Sequence, residues 1–99
     1  MKENSIANRY AKAMIGSLKN DKEYNMVRSQ LQDFQHLLEV NPEFRAGMET
    51  SLFSKQQKIE LFESIHAKVK FSAQAEKFIL EIIDANRIPV MDAILEVME

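Results

Sequence analysis

Hydrophobic residues recur along most of the chain at a spacing near 3.6 residues, which is typical of amphipathic helices and not of strands. The pattern is strongest in residues 24–38, where apolar positions follow the 3-4-3-4 spacing of a helix that packs along one side. These positions are Tyr24, Val27, Leu31, Phe34 and Leu38. The chain also has only two glycines and two prolines, too few for a turn-rich β fold. The sequence therefore predicts an all-α fold, a single bundle of six helices.

Polar capping residues and helix breakers set the predicted boundaries. The helices are expected at residues 5–19, 22–40, 42–50, 55–69 and 72–86, and from Pro89 onward. Ser5, Asn41 and Ser72 are predicted N-caps, and Ser54 with Gln57 has the spacing of a capping box. Asn86 is expected to end the fifth helix in a left-handed conformation, since asparagine tolerates that conformation better than most residues other than glycine.

Four further helices each present an apolar face that predicts part of the core. The predicted core positions, with Met26 as an additional filler, are Phe44, Met48, Ile59, Phe62, Ile65, Val69, Ala75, Phe78, Ile79, Ile82, Ile83, Met91, Ile94, Leu95 and Met98. The lysines at 55, 58, 68 and 70 are predicted to lie on solvated faces. A core of this size suits one domain of 99 residues.

The first predicted helix has two neighbouring stripes of apolar and small residues. One stripe contains Ile6, Tyr10, Ala13 and Ser17, and the other contains Ala7, Ala11, Met14 and Leu18, with Ile15 at its far edge. A helix that faces one core needs a stripe only about 100° wide or slightly more, so one of the two is surplus. The surplus predicts half of a groove for another helix. The alternative is a central helix that is buried nearly all round, although the Ser17 hydroxyl is easier to place at an edge.

Composition and charge exclude several classes of function. The formal net charge is −2 with both signs interspersed, which argues against nucleic acid as the main partner. The chain has no cysteine, and therefore no disulfide or thiolate chemistry. No apolar run follows Lys2 and no segment approaches 18 uninterrupted apolar residues, so neither a signal peptide nor a membrane span is expected.

No motif predicts catalysis, a cofactor or a metal. His36 and His66 lie far apart and without ligand spacing, so His36 is expected on the polar side of its helix and His66 as a half-buried packing residue. The chain contains no glycine-rich phosphate loop and no nucleophile elbow. We therefore expect no catalytic residue, no bound cofactor and no small-molecule substrate.

Three segments, in order along the chain, resemble the signatures of one family. They are Ala7–Ala13 around Tyr10, the stretch 41–58 with its Asn-Pro-Glu-Phe-Arg and Ser-Leu-Phe-Ser runs, and Asp84–Ile88. The family is the delta subunit of bacterial F-type ATP synthase, whose mitochondrial counterpart is the oligomycin-sensitivity-conferring protein. In the third segment Asn86 stands where the family usually has glycine.

The resemblance implies a non-enzymatic stator subunit on the cytoplasmic face of the bacterial inner membrane, which it meets only through the complex. The family fold is a six-helix N-terminal bundle, matched by residues 1–99, and a smaller C-terminal domain that is absent from this chain. The bundle would bind the N-terminal helix of an alpha subunit in a groove between the first and fifth helices. The absent domain would contact the b-subunit stalk.

Candidate groove residues come from the pattern and the resemblance together. Tyr10 and Ala13 match groove positions of the family, and the matching face of the fifth helix includes Lys77 and Glu81, flanked by Phe78. The complete set is Ile6, Tyr10, Ala13, Ser17, Lys77, Phe78 and Glu81. Lys77 and Glu81 are four residues apart, so an ordinary solvated ion pair is an alternative for them.

A six-helix adaptor of the death-domain type is the alternative function, since its size and helix number are similar. Such adaptors pair through opposed charge patches, and their complexes are expected to be sensitive to salt. A groove lined by apolar stripes is expected to bind with little salt dependence.

Overall fold

The computed structural model describes residues 2–98 and the side chains of residues 5–98. Its helices are α1 (Lys2–Ser17), α2 (Asp21–Val40), α3 (Pro42–Glu49), α4 (Lys55–Val69), α5 (Ala73–Asp84) and α6 (Met91–Val97), with a 3-10 turn at Ile88–Val90. No strand occurs in this part of the chain. The predicted all-α fold of six helices is confirmed.

The helices surround one core, in which α2 lies against α3, α5 and α6. Helix α1 packs on α6, and α4 packs on α3 and α5. The predicted core positions of α3, α5 and α6 are all buried, and in the α2 seam of residues 24–38 only Tyr24 is partly exposed. On α4 Phe62 is buried, whereas Ile59 and Ile65 are only partly buried. The Tyr24 hydroxyl donates a hydrogen bond to the backbone carbonyl of Met98, which joins the start of α2 to the end of α6.

Aromatic rings fill the part of the core between α2, α3 and α4. Phe34 is completely buried and meets the rings of Phe44, Phe62 and Phe71 edge-on, with centroids 6.0, 5.9 and 6.2 Å away. His66 stacks on Phe62 and Phe71, and its Nδ1 accepts a hydrogen bond from the Phe71 backbone N–H. The prediction that His66 is a half-buried packing residue is confirmed.

The helix caps agree with the sequence at most boundaries. Ser54 and Gln57 form the predicted capping box, and the Ser72 hydroxyl accepts from the Ala75 backbone N–H. Asn41 is an exception, because its side chain makes no cap bond to α3. Its Nδ2 instead donates to the Leu37 carbonyl at 3.0 Å, which satisfies the C-terminal end of α2.

Four other predictions of position are wrong. Helix α1 begins at Lys2, so Ser5 lies inside it; Lys2 and Glu3 are good helix formers, and nothing interrupts them. Met26 and Val69 are 40% and 41% exposed, so their sides of α2 and α4 are not fully covered by the described part of the bundle. Lys58 is only 4% exposed, because its long aliphatic stem is buried on α4.

The turn after α5 depends on Asn86, which has φ 57° as predicted. The Asn86 N–H donates to the carbonyl of Ile83 at 3.0 Å, and the Arg87 N–H donates to that of Ile82 at 2.9 Å. These two bonds are those of a Schellman motif with Asn86 at the left-handed position. The turn directs the chain from α5 into the 3-10 turn and determines where Arg87 lies.

Asn86→Ala is expected to lower the free energy of unfolding by about 1 kcal/mol. Alanine has a Cβ that is strained in the left-handed conformation, and it lacks the polar side chain that lets asparagine form local hydrogen bonds there. Asn86→Gly is the matched control, and it should be at least as stable as the native chain. Urea unfolding followed by far-UV circular dichroism measures both. Equal stability of the alanine and glycine variants would contradict the proposed role of this turn.

Candidate binding groove

A groove with a volume of about 520 Å³ lies between α1 and α5. Its floor is formed by side chains that also belong to the core, namely Met14, Val27 and Phe78, which are at most 6% exposed. More exposed residues of α1 and α5 form its two walls. The floor is therefore apolar and held rigidly by the bundle.

The α1 wall is the stripe of Ile6, Tyr10, Ala13 and Ser17, which is the surplus one of the two stripes predicted from the sequence. Ala7, Ala11 and Met14 of the other stripe are buried in the core of the bundle. Ile6 and Tyr10 are half-buried, Ala13 and Ser17 are exposed, and all four line the groove. The alternative in which α1 is buried nearly all round is therefore wrong for this stripe. Ser17 donates its hydroxyl to the Met14 carbonyl at 2.7 Å, so its polar group is satisfied within the helix.

The α5 wall is polar above an apolar base. Phe78 is 6% exposed and reaches the floor, while Gln74, Lys77 and Glu81 are exposed along the rim. Lys77 and Glu81 form no ion pair with each other; within the described chain, the ion pairs are Arg45–Glu49, Lys55–Asp84 and His66–Glu76. Both side chains are solvated, as the alternative for Lys77 and Glu81 expected, but they are not ion-paired with each other.

The structure brings all the candidate residues into this one groove. Ile6, Tyr10, Ala13 and Ser17 come from α1, and Lys77, Phe78 and Glu81 come from α5. Whether they bind a partner stays a prediction. Sequence reasoning did not assign to the groove six further lining residues, which are Arg9, Met14, Leu18, Val27, Gln74 and Arg87. Two of these could have been found from their spacing. Arg9 lies four residues before Ala13 and Gln74 four residues before Phe78, which places each on the same face of its helix as a candidate residue.

Positive charge predominates at the rim of the groove. Arg9, Lys77 and Arg87 line it, and Glu81 is the one carboxylate among its described lining residues. None of these four side chains lies within 4 Å of an opposite charge in the part of the chain that the structure describes. The rim is thus cationic although the whole chain has a formal net charge of −2.

Other kinds of site are not found among residues 5–98. No group of three or more His, Asp or Glu side chains there is arranged to hold a metal ion. His36 is exposed on α2, as predicted, and lines a shallower cleft of about 380 Å³ together with Glu39, Asp92 and Glu96. Of the helices described, none combines the length and hydropathy that a membrane span requires.

Comparison with known proteins gives one consistent result. The family model for the ATP synthase delta (OSCP) subunit matches residues 6–99. The ATP synthase subunit delta of Desulfatibacillum aliphaticivorans is 30% identical over 94 residues, which are 95% of this chain and 51% of that protein. That of Trichlorobacter lovleyi is 29% identical over 100 residues, covering 100% of this chain and 55% of its own length.

This chain spans about half the length of the curated relatives that it matches. No solved structure matches it at a significant level. The family match covers all three signature segments and both walls of the groove, since it extends over nearly the whole sequence. The chain belongs to the ATP synthase delta (OSCP) subunit family.

Proposed function

We propose that this domain binds the N-terminal helix of an ATP synthase alpha subunit in the groove between α1 and α5. In the full-length protein, a C-terminal domain would contact the b-subunit stalk, so that the delta subunit connects the catalytic head to the peripheral stalk. The domain then acts as a non-enzymatic stator part, peripheral to the membrane on its cytoplasmic face. Membership of a family of structural, non-catalytic subunits supports this role.

The observation that carries the proposal is an uncovered stripe at helical spacing. Ile6, Tyr10, Ala13 and Ser17 follow one another at steps of four, three and four residues along the α1 wall. At 1.5 Å per residue this wall is about 16 Å long, or roughly three helical turns. An amphipathic helix with anchors at positions i, i+3 or i+4, and i+7 fits such a groove.

An NMR titration tests the proposal. The isotopically labelled 99-residue chain is titrated with a peptide of about 20 residues from the N-terminus of its cognate alpha subunit. We expect saturable binding with a Kd well below 100 μM, because a helix in a preformed apolar groove buries a substantial interface. Amide resonances of the groove-facing residues of α1 and α5 should shift most, and those of α3 should stay unchanged. A folded chain that fails to bind this peptide at about 100 μM would contradict the proposal.

The control is a peptide of the same composition in scrambled order, which keeps the charge and removes the apolar stripe. The adaptor alternative predicts a different result, since a charge-patch interface would tolerate scrambling better than a groove would. Family membership also gives the adaptor alternative no support.

A further inference from the structure

Resting on the proposed function, we propose that the helix which occupies the groove is acidic along its flanks and that the cationic rim selects it. The rim carries Arg9 on the α1 wall, Lys77 on the α5 wall and Arg87 in the turn that follows α5. These cations border an apolar floor on both sides. A helix that buries an apolar stripe on the floor therefore places the residues on either side of that stripe next to positive charge.

Charge complementarity is the argument for an acidic occupant. The chain as a whole is slightly negative, yet the described side chains of this rim include three cations and one carboxylate. Among the described side chains, the rim cations have no internal ion-pair partner, whereas Arg45 and Lys55 elsewhere on the surface do. They can therefore pair with carboxylates of a partner without breaking an ion pair within the described chain. A helix with basic flanks would instead meet like charge on both walls, which is destabilising.

The arrangement also revises the expectation that an apolar groove binds with little salt dependence. Rim charges act mainly on the rate of association and are screened by salt. The floor buries the apolar stripe of the partner helix. The charges of the rim determine which helix binds and how it is oriented when it first meets the groove. We therefore expect the complex to weaken several-fold between about 0.1 M and about 1 M NaCl, where the screening length falls from ~10 to ~3 Å.

Neutralising the rim tests the inference. The variant Arg9→Gln/Lys77→Gln/Arg87→Gln is expected to bind the cognate alpha-subunit peptide roughly ten-fold more weakly, mostly through slower association, and to lose the salt dependence. The matched control is Lys12→Gln/Lys22→Gln/Lys68→Gln, which removes the same charge from exposed positions outside the groove and should bind like the native chain.

Glu81→Gln tests the sign of the interaction with a single exposed substitution that leaves the core intact. Removal of this carboxylate is expected to tighten binding roughly two- to five-fold, because the charged groups that then remain among the described lining residues are all cations. Equal binding by the two triple variants, or weaker binding by Glu81→Gln, would overturn the inference while the proposed function stands.

Two designed helical peptides separate this inference from the proposed function. Both have the same Leu/Ala stripe, and one carries Glu while the other carries Lys along both flanks. The Glu peptide is expected to bind at least ten-fold more tightly. If it does so while the alpha-subunit peptide does not bind, the proposed function fails and the inference stands. Light scattering of the chain alone should give a monomer; a dimer that the Tyr10→Asp substitution dissociates would assign the groove to a second copy and overturn the inference.

Discussion

Phe34→Ala is expected to lower the free energy of unfolding by about 3–5 kcal/mol, which is the cost of removing a fully buried phenylalanine and leaving a cavity. Phe34 has no exposed surface, and its ring contacts the rings of Phe44, Phe62 and Phe71. Those rings lie on α3, on α4 and in the segment before α5, so the cavity cannot close without moving several elements. For a domain of this size the loss corresponds to a fall in Tm of roughly 12–40 °C.

Phe53→Ala is the matched control, since the same atoms are removed from a ring that is 41% exposed between α3 and α4. It is expected to cost less than half as much, because part of that ring is already in water. Urea unfolding with both midpoint and m-value separates a change in stability from a change in the denatured state. Similar losses for the two variants would mean that the four-ring cluster is not the centre of the core.

The helices and their buried faces were predictable because burial on one side leaves a periodic trace in the sequence. The seam of α2 from Val27 to Leu38 and the five apolar positions of α5 are buried as the spacing indicates. The three wrong predictions of burial have a common cause, which is that periodicity shows which side of a helix is apolar but not whether another helix covers it. Met26 and Val69 are apolar residues on uncovered sides, and Lys58 is a charged residue on a covered one.

Of the two walls of the candidate groove, only the α1 wall could be predicted from the residues alone. The two stripes of α1 predict a surplus surface, and the structure leaves the stripe of Tyr10 and Ala13 uncovered. The α5 wall has no comparable apolar pattern, because Lys77 and Glu81 are ordinary surface residues that only the family resemblance assigns to the groove. Arg87 could not be assigned from the sequence, since its position depends on the left-handed turn at Asn86.

Tyr10→Asp is expected to weaken binding of the alpha-subunit N-terminal helix by about 100-fold or more. Tyr10 is half-buried in the α1 wall, and a partner helix in the groove would cover the rest of its ring. Buried tyrosines near the centre of an interface commonly contribute about 2 kcal/mol or more, and the new carboxylate would also lie in an apolar interface, where an acidic helix repels it. Because Tyr10 is not enclosed by its own bundle, the far-UV circular dichroism should stay that of the native chain.

Three variants make this result specific to the groove. Tyr10→Phe keeps the ring and should bind within about three-fold of the native chain, and Lys12→Asp adds negative charge to an exposed α1 position outside the groove and should bind normally. Ala13→Gln places a neutral polar side chain on the same wall at an exposed position, where it cannot disturb the core. We expect it to weaken binding at least ten-fold, so that the prediction remains testable even if Tyr10→Asp destabilises the fold. Normal binding by a folded Tyr10→Asp or Ala13→Gln variant would exclude this groove as the site of the partner helix.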